Sequence, residues 1–122
     1  MNKEDLKILI CDDSILARKS LKEILNNLNY YDIVEVADGQ TVIDTYKVLN
    51  PDIVFLDIVM PVKDGITAVK EIREFDKDAC IIMVSSVGTQ THLKEAIKSG
   101  ARDFLQKPVD IEQLKQIIEH CV

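Results

Sequence analysis

Short apolar runs alternate with amphipathic segments five times along this chain. The apolar runs lie over about 7–11, 33–36, 53–57, 80–85 and 103–106. Nearly continuous apolar runs of this length are typical of parallel strands that are buried on both faces of a sheet. The second run is interrupted by Glu35, and a polar residue inside a strand favours a place at the edge of the sheet. The pattern therefore predicts five parallel strands, with the second at an edge.

The segments between the strands carry apolar residues at helical spacing. Ser14 is a predicted N-cap of the first helix, and Asp110 with Gln113 forms a capping-box pattern before the last one. Gly100 stands where a helix commonly ends in a left-handed residue. The predicted helices start at Ser14, cover about 40–48, start after Gly65, cover about 90–98 and start after Asp110.

Five strand–helix units of this length predict an α/β fold. We expect a (βα)5 doubly wound sheet of five parallel strands, flavodoxin-like, with right-handed crossovers. At 122 residues, we expect a single domain over residues 1–122. Periodicity alone leaves the strand order open, and we expect 2-1-3-4-5, which is one of the two common orders in such sheets.

Composition and charge narrow the classes of function. The net charge is −6, which argues against direct binding to nucleic acid through its phosphates. No apolar run approaches the roughly 20 residues that a membrane span needs. The three cysteines lack the spacing of a metal site, so we expect Cys11 and Cys80 to be small core residues of a cytoplasmic protein.

Polar side chains follow four of the five apolar runs. Asp12 and Asp13 follow the first, Asp57 ends the third, Ser85 ends the fourth and Lys107 follows the fifth. Ligands of open parallel sheets bind outside the carboxyl ends of the strands. Singly, each residue could be a helix cap or a loop residue; together they predict a site for phosphate and a divalent cation.

The three carboxylates should lie within a few ångströms of one another if the first and third strands are neighbours. Carboxylates so close together repel, and one of them would have a raised pKa unless a cation intervened. Hard oxygen ligands that leave positions open for water and phosphate are suited to Mg²⁺. We therefore expect Mg²⁺ as the cofactor.

Over nearly its whole length, the chain resembles the receiver domain of two-component response regulators. The motifs that carry this resemblance are Asp12-Asp13, Asp57, Met60-Pro61, Asp64-Gly65, Ser85 and Lys107-Pro108. Any one of them is weak evidence, but their order and spacing together are specific. The stretch from 85 to 101 is most similar to the stand-alone chemotaxis regulators, the CheY-like group.

The resemblance implies a role for each of the matching positions. Asp57 would be the phosphoacceptor, taking a phosphoryl group from the histidine of a partner kinase or from a small phosphodonor. Asp12 and Asp13 would hold Mg²⁺ together with Asp57 and the backbone carbonyl of Val59. These roles agree with phosphoryl transfer, which needs positioning and charge neutralisation more than covalent help from the protein.

Further positions would respond to the phosphoryl group. Lys107 would pair with one phosphoryl oxygen and Ser85 would hydrogen-bond another, while Phe104 would be the aromatic residue that reorients with Ser85. Phe104 could instead be an ordinary core residue of the fifth strand. In this family the peptide bond between Lys107 and Pro108 is usually cis, and Gly65 would permit a tight turn before the third helix.

Two positions that flank the phosphoryl site in the family are valines in this chain. Neither Val59 nor Val87 can orient an attacking water molecule. We therefore expect both valines to lengthen the lifetime of the phosphorylated form.

The implied function is a phosphorylation-activated signalling switch rather than an enzyme that acts on other substrates. Its partners would be a histidine kinase, a downstream target such as the flagellar motor switch, and a phosphatase. The surface of the fourth helix, fifth strand and fifth helix would bind the target, and we expect a cytoplasmic monomer.

Several alternatives remain at this point. Within signalling, the chain could be a phosphorelay intermediate or a receiver cut from a longer regulator. An aspartyl-phosphate phosphatase would carry a second aspartate where this chain has Val59. A flavodoxin-like cofactor binder would need a loop rich in Ser, Thr and Gly after the first strand, where this chain has Asp12 and Asp13.

Overall fold

Five strands and five helices alternate in the computed structural model, which describes residues 5–86 and 90–121. The strands are β1 (Lys7–Cys11), β2 (Asp32–Val36), β3 (Ile53–Leu56), β4 (Ile81–Ser85) and β5 (Asp103–Gln106). The helices are α1 (Ile15–Asn27), α2 (Gly39–Leu49), α3 (Gly65–Phe75), α4 (Gln90–Ser99) and α5 (Ile111–Cys121). These bounds agree with the predicted ones to within one or two residues.

The strands form one parallel sheet in the order β2-β1-β3-β4-β5. The predicted α/β class, strand order and edge position of the second strand are therefore confirmed. Cys11 of β1 lies opposite Leu56 of β3 in the register of the sheet. Because β1 and β3 are neighbours that end at the same level, Asp12 and Asp57 leave the sheet side by side.

The sheet is buried on both faces because successive side chains of a strand point to opposite sides. Leu9, Val54 and Met83 belong to one hydrophobic cluster, which α2, α3 and α4 cover. Ile10 and Phe55 belong to the other, which α1 and α5 cover. All four residues of β3 are buried, which accounts for the unbroken apolar run in the sequence. Burial of each such side chain stabilises the fold by roughly 1.5–3 kcal/mol.

Polar residues cap the helices at the carboxyl edge of the sheet. Side-chain oxygens of Ser14, Asp38 and Asp64 accept hydrogen bonds from the first turns of α1, α2 and α3. Asp110 accepts backbone N–H groups at the start of α5, and Gly100 has a φ of 119° after α4. The predicted caps at Ser14 and Asp110 and the left-handed residue at Gly100 are confirmed.

The cysteines differ in part from the prediction. Cys11 is buried and free, and burial, with the charge of Asp38, raises the pKa of its thiol to about 12. Cys80 is buried in the core as predicted, but it forms an unexpected disulfide with Cys121 across a Cα–Cα distance of 6.5 Å. The pairing depends on the end of α5 lying beside the start of β4, and no spacing in the sequence reveals that contact.

Candidate functional site

Three carboxylates meet where β1 and β3 end. One ligand oxygen from each of Asp12, Asp13 and Asp57 lies within 4.8 Å of the others. Asp12 is 5% exposed and Asp57 is 9% exposed, whereas Asp13 faces solvent. The predicted convergence is confirmed, and the burial makes two of these charges expensive to maintain without a cationic partner.

Backbone hydrogen bonds hold these aspartates in place. The Asp57 N–H donates to the carbonyl of Cys11 at 3.0 Å, which ties the end of β3 to the end of β1. The Asp12 N–H donates to the carbonyl of Val36 in β2 at 3.2 Å. The Asp12 carboxylate also accepts the N–H of Ser14 at 2.9 Å. The carboxylates are therefore positioned by the sheet and by the first turn of α1.

Lys107 is the cationic partner. Its Nζ lies 2.5 Å from Asp12 Oδ2 and 3.4 Å from Asp57 Oδ2. Its own backbone N–H donates to the carbonyl of Ser85 at 2.9 Å, and the bond between Lys107 and Pro108 is cis, as expected. Burial lowers the pKa of Lys107, but the hydrogen bond to Asp12 and the charge of Asp57 outweigh it, so the net pKa is raised. The ammonium therefore stays charged between the two buried carboxylates.

Asp57 has a raised pKa for a reason that differs from the one expected. Burial is the largest cause, the charge of Lys107 opposes it, and the charge of Asp12 adds to it. Repulsion between carboxylates, which the sequence suggested as the cause, is thus a smaller contribution than desolvation. The intervening cation in this structure is the ammonium of Lys107.

Three further predicted site residues, Ser85, Phe104 and Val59, lie within the described part of the chain. Ser85 is buried at the end of β4. Phe104 is partly buried and packs against the hydrophobic cluster that α2, α3 and α4 cover. Val59 is 62% exposed, and its N–H lies 3.4 Å from Asp57 Oδ1. Val87 lies outside the described residues.

The donor set fits a hard divalent cation. Carboxylate oxygens from three residues converge at an edge where Asp13 is open to solvent, which leaves room for water in the coordination shell, as Mg²⁺ prefers. A cation in this place would compete with Lys107 for Asp12 and Asp57. The cluster is therefore an acidic pocket that could hold a metal ion.

Gly65 supports the site in a different way from the tight turn that the sequence suggested. A Cβ at Gly65 would lie 2.1 Å from the Asp57 carbonyl oxygen and 2.8 Å from Ile58 Cα. The positive φ in this loop belongs to Val62, at 70°. Gly65 is thus required for the close approach of α3 to the backbone of Asp57.

Gly39 plays a similar part at the start of α2. A Cβ there would lie 2.1 Å from the carbonyl oxygen of Lys63, which belongs to the loop between β3 and α3. Gly39 could not be selected from the sequence, since a glycine after Asp38 is explained equally well as part of a turn.

In metal-free buffer near neutral pH, we expect Asp57→Asn to melt at a higher temperature than the wild type. Burial raises the pKa of Asp57, so its stabilising form is the protonated one, and stability is lost as the pH rises through the folded-state pKa. A neutral amide of the same shape removes that loss, with a gain of about 1 kcal/mol, or about 3–6 °C.

The advantage of Asp57→Asn should shrink as the pH falls through the raised pKa, and melting curves across acid to neutral pH test this. Asp13→Asn is the matched control, because Asp13 is exposed and its removal should change the melting temperature little. An Asp57→Asn protein that melts no higher at neutral pH would contradict the desolvation cost.

Comparisons with known proteins agree with this geometry. The family model of the response regulator receiver domain matches residues 8–119. Protein CcdB of Bacillus subtilis is 40% identical over 118 residues, which cover 93% of this chain and 98% of that protein. The chemotaxis protein CheY of Bacillus subtilis is 40% identical over 112 residues, which cover 92% of this chain and 93% of that protein.

Solved structures give the same result. A chain in the CheX-CheY-BeF3-Mg²⁺ complex from Borrelia burgdorferi superposes with a TM-score of 0.86 at 38% identity. The superposition covers 94% of this chain and 87% of that one. Among the described residues, no helix is long and apolar enough to cross a membrane.

Proposed function

Because this chain belongs to the family of response regulator receiver domains, we propose that it is a phosphorylation-activated switch of a two-component signalling pathway. The observation that carries the proposal is the meeting of Asp12, Asp13, Asp57 and Lys107 at one edge of the sheet. Three carboxylates with one ammonium can hold a cation and a phosphoryl group together.

In the proposed reaction, a carboxylate oxygen of Asp57 attacks the phosphorus of a phosphohistidine or of a small phosphodonor. A new O–P bond forms as the bond from phosphorus to the donor breaks, and the donor keeps the electron pair. Asp12, Asp13, Asp57 and the backbone carbonyl of Val59 would hold Mg²⁺, which supplies positive charge against the phosphoryl oxygens when bound. Lys107, whose Nζ lies 3.4 Å from Asp57 Oδ2, contributes a second positive charge.

The signal would leave the site through β4 and β5. Ser85 ends β4 beside the site and would hydrogen-bond a phosphoryl oxygen, and Phe104, which is partly buried, would reorient with it. Leu93 and Ile97 expose apolar surface on α4, at 39% and 45%. An exposed apolar patch of this kind supports the binding of a protein target to the surface of α4, β5 and α5.

We place the switch in a chemotaxis pathway, in the cytoplasm. The support is the likeness to proteins named chemotaxis protein CheY and to the complex of CheY with CheX. The partners would be a histidine kinase that phosphorylates Asp57, a target such as the flagellar motor switch, and a phosphatase. The chain would catalyse only its own phosphorylation and dephosphorylation.

Beryllofluoride, which mimics a phosphoryl group on an aspartate, tests this function. We expect ¹⁵N-labelled protein to show shifted amide signals in α4 and β5 after addition of beryllofluoride with Mg²⁺, but not with either alone. A pull-down with the same mixture should recover a partner that the untreated protein does not bind. Unchanged amide signals in α4 and β5 would contradict the proposed switch.

Removal of Asp13 should weaken Mg²⁺ binding without disturbing the fold. Asp13 is exposed, while Asp12 also binds Lys107, so Asp13→Ala is the cleaner variant and Asp12→Ala the more damaging one. A tenfold loss of affinity removes about 1.4 kcal/mol of the stabilisation that saturating Mg²⁺ provides. Melting curves with and without Mg²⁺ measure this loss of stabilisation. Asp32→Ala, at the amino-terminal end of β2, is the control. An unchanged Mg²⁺ response in both Asp12→Ala and Asp13→Ala would refute the metal role.

Val59 should lengthen the life of the phosphorylated form, because its side chain offers no hydrogen bond to an attacking water molecule. We expect Val59→Asn to speed the loss of the phosphoryl group by up to about tenfold, the effect of one hydrogen bond in the transition state. The decay of phosphorylated protein after removal of the donor measures this. Val62→Asn, which changes an exposed residue of the same loop, should decay at the wild-type rate; equal decay of all three proteins would show that Val59 has no such role.

A further inference from the structure

Arg18 of α1 contacts the main chain of Asp12, one of the three aspartates of the acidic pocket. Its Nη1 donates to the carbonyl oxygen of Asp12 at 2.6 Å. Its Nε lies 3.5 Å from Glu35 of β2, and its side chain is only 16% exposed. The guanidinium of α1 therefore bridges the end of β1 and the edge strand.

The peptide groups around Asp12 are held from both sides. The N–H of Asp12 donates to Val36 in β2, and the carbonyl accepts from Arg18. A hydrogen bond from a charged donor is roughly twice as strong as a neutral one. Without Arg18, nothing else among the described contacts holds this carbonyl, and the direction of the Asp12 side chain would be less well determined.

We propose that Arg18 is a positioning residue for the cation site, acting through the backbone of Asp12. The inference rests on the proposed function, since it assumes that Asp12 helps to bind Mg²⁺. Partners that orient metal ligands commonly change metal affinity about 10- to 100-fold when they are removed.

Whether Mg²⁺ binding weakens or strengthens when Arg18 is removed distinguishes a positioning contact from a purely electrostatic effect. Arg18 carries the same sign of charge as a metal ion, so removing its charge alone should strengthen Mg²⁺ binding. Removing a positioning contact should weaken it. Because Glu35 already pairs with Arg18, the electrostatic field of the guanidinium at the site is partly cancelled. We therefore expect the loss of positioning to be the larger effect, so that Mg²⁺ binding weakens.

Lys22 provides a matched control on the same helix. Its Nζ lies 3.6 Å from the other carboxylate oxygen of Glu35, so Lys22→Met also removes one positive charge and one ion pair of Glu35. Among the described residues, no hydrogen bond or ion pair joins Lys22 to Asp12.

Calorimetric titration of Mg²⁺ into the metal-free full chain tests the proposal. We expect the dissociation constant to rise about tenfold in Arg18→Met and about threefold in Arg18→Lys, which keeps one donor. Lys22→Met should bind as tightly as the wild type or slightly more tightly. In the metal-free proteins, amide hydrogen exchange of Asp12 and Asp57 should quicken in Arg18→Met but not in Lys22→Met.

Affinity in Arg18→Met equal to or above that of the wild type would overturn the positioning role. An equal loss of affinity in Lys22→Met would overturn it too, because the ion pairs of Glu35 would then be responsible. Should Arg18→Met fail to fold, Arg18→Lys decides, and wild-type affinity in that variant counts against the proposal. A wild-type protein that binds no Mg²⁺ would instead contradict the proposed function itself.

Discussion

Asp57→Asn should abolish phosphoryl uptake, with a rate at least roughly a thousandfold below that of the wild type. The geometry distinguishes Asp57 from its neighbours as the nucleophile. Both carboxylate oxygens of Asp12 have short partners, Ser14 N at 2.9 Å and Lys107 Nζ at 2.5 Å. Within residues 5–86 and 90–121, the oxygens of Asp57 have hydrogen-bond contacts only at 3.4 Å, to Val59 N and Lys107 Nζ, so they are the freer ones to attack phosphorus.

Intact mass after incubation with acetyl phosphate measures this uptake, with and without Mg²⁺. The wild type should gain the mass of one phosphoryl group only when Mg²⁺ is present. Asp13→Asn is the matched control, since it removes a neighbouring carboxylate but leaves the nucleophile, and it should label slowly rather than not at all. Labelling of Asp57→Asn at the wild-type rate would move the phosphoacceptor to another residue.

Much of this site could be predicted because it follows from the sheet. The run that ends in Leu56 is apolar throughout since β3 is buried on both faces, and Asp57 comes next. Parallel strands end at one edge, so the polar residues after β1, β3, β4 and β5 had to meet there. The neighbouring positions of β1 and β3 came from the expected strand order, and the register of Cys11 with Leu56 confirms them.

Contacts that depend on how the helices pack on the sheet could not be predicted. Arg18 looks like any other basic residue of α1 until the fold brings it to the carbonyl of Asp12. Gly39 and Gly65 are recognisable as turn residues. Their close approach to the backbone of Lys63 and Asp57, which leaves no space for a side chain, exists only once α2 and α3 are in place. Composition and periodicity contain no information about such distances.

The cause of the raised pKa of Asp57 could also be predicted only in part from the sequence. The charges near Asp57 can be counted in the sequence, but they cannot be weighed there against its burial, which is the largest contribution. The sequence likewise indicates Lys107 only as a partner of the phosphoryl group. In the structure, Lys107 already binds Asp12 and Asp57, so its part in the switch begins before phosphorylation.

Lys107→Ala should therefore separate metal binding from the response of the protein. Lys107 must leave Asp12 Oδ2 before a cation can be bound there, so its removal should tighten Mg²⁺ binding by about fivefold or more. The backbone N–H of Lys107 also donates to Ser85, so the position of its side chain is linked to the ends of both β4 and β5. A switch responds only to contacts that differ between its two states. The pairing of Lys107 with Asp12 and Asp57 would be one such contact, because Lys107 would pair with a phosphoryl oxygen in the phosphorylated state.

We expect beryllofluoride with Mg²⁺ to shift the amide signals of α4 and β5 in the wild type and to leave them almost unchanged in Lys107→Ala. Lys70→Ala, at an exposed lysine of α3, controls for the loss of one positive charge and should respond fully. Calorimetry on the same proteins shows whether Mg²⁺ still binds, which separates a lost response from a lost cofactor. A full amide response in Lys107→Ala would mean that Lys107 only neutralises the buried carboxylates, and that Ser85 alone connects the site to β5.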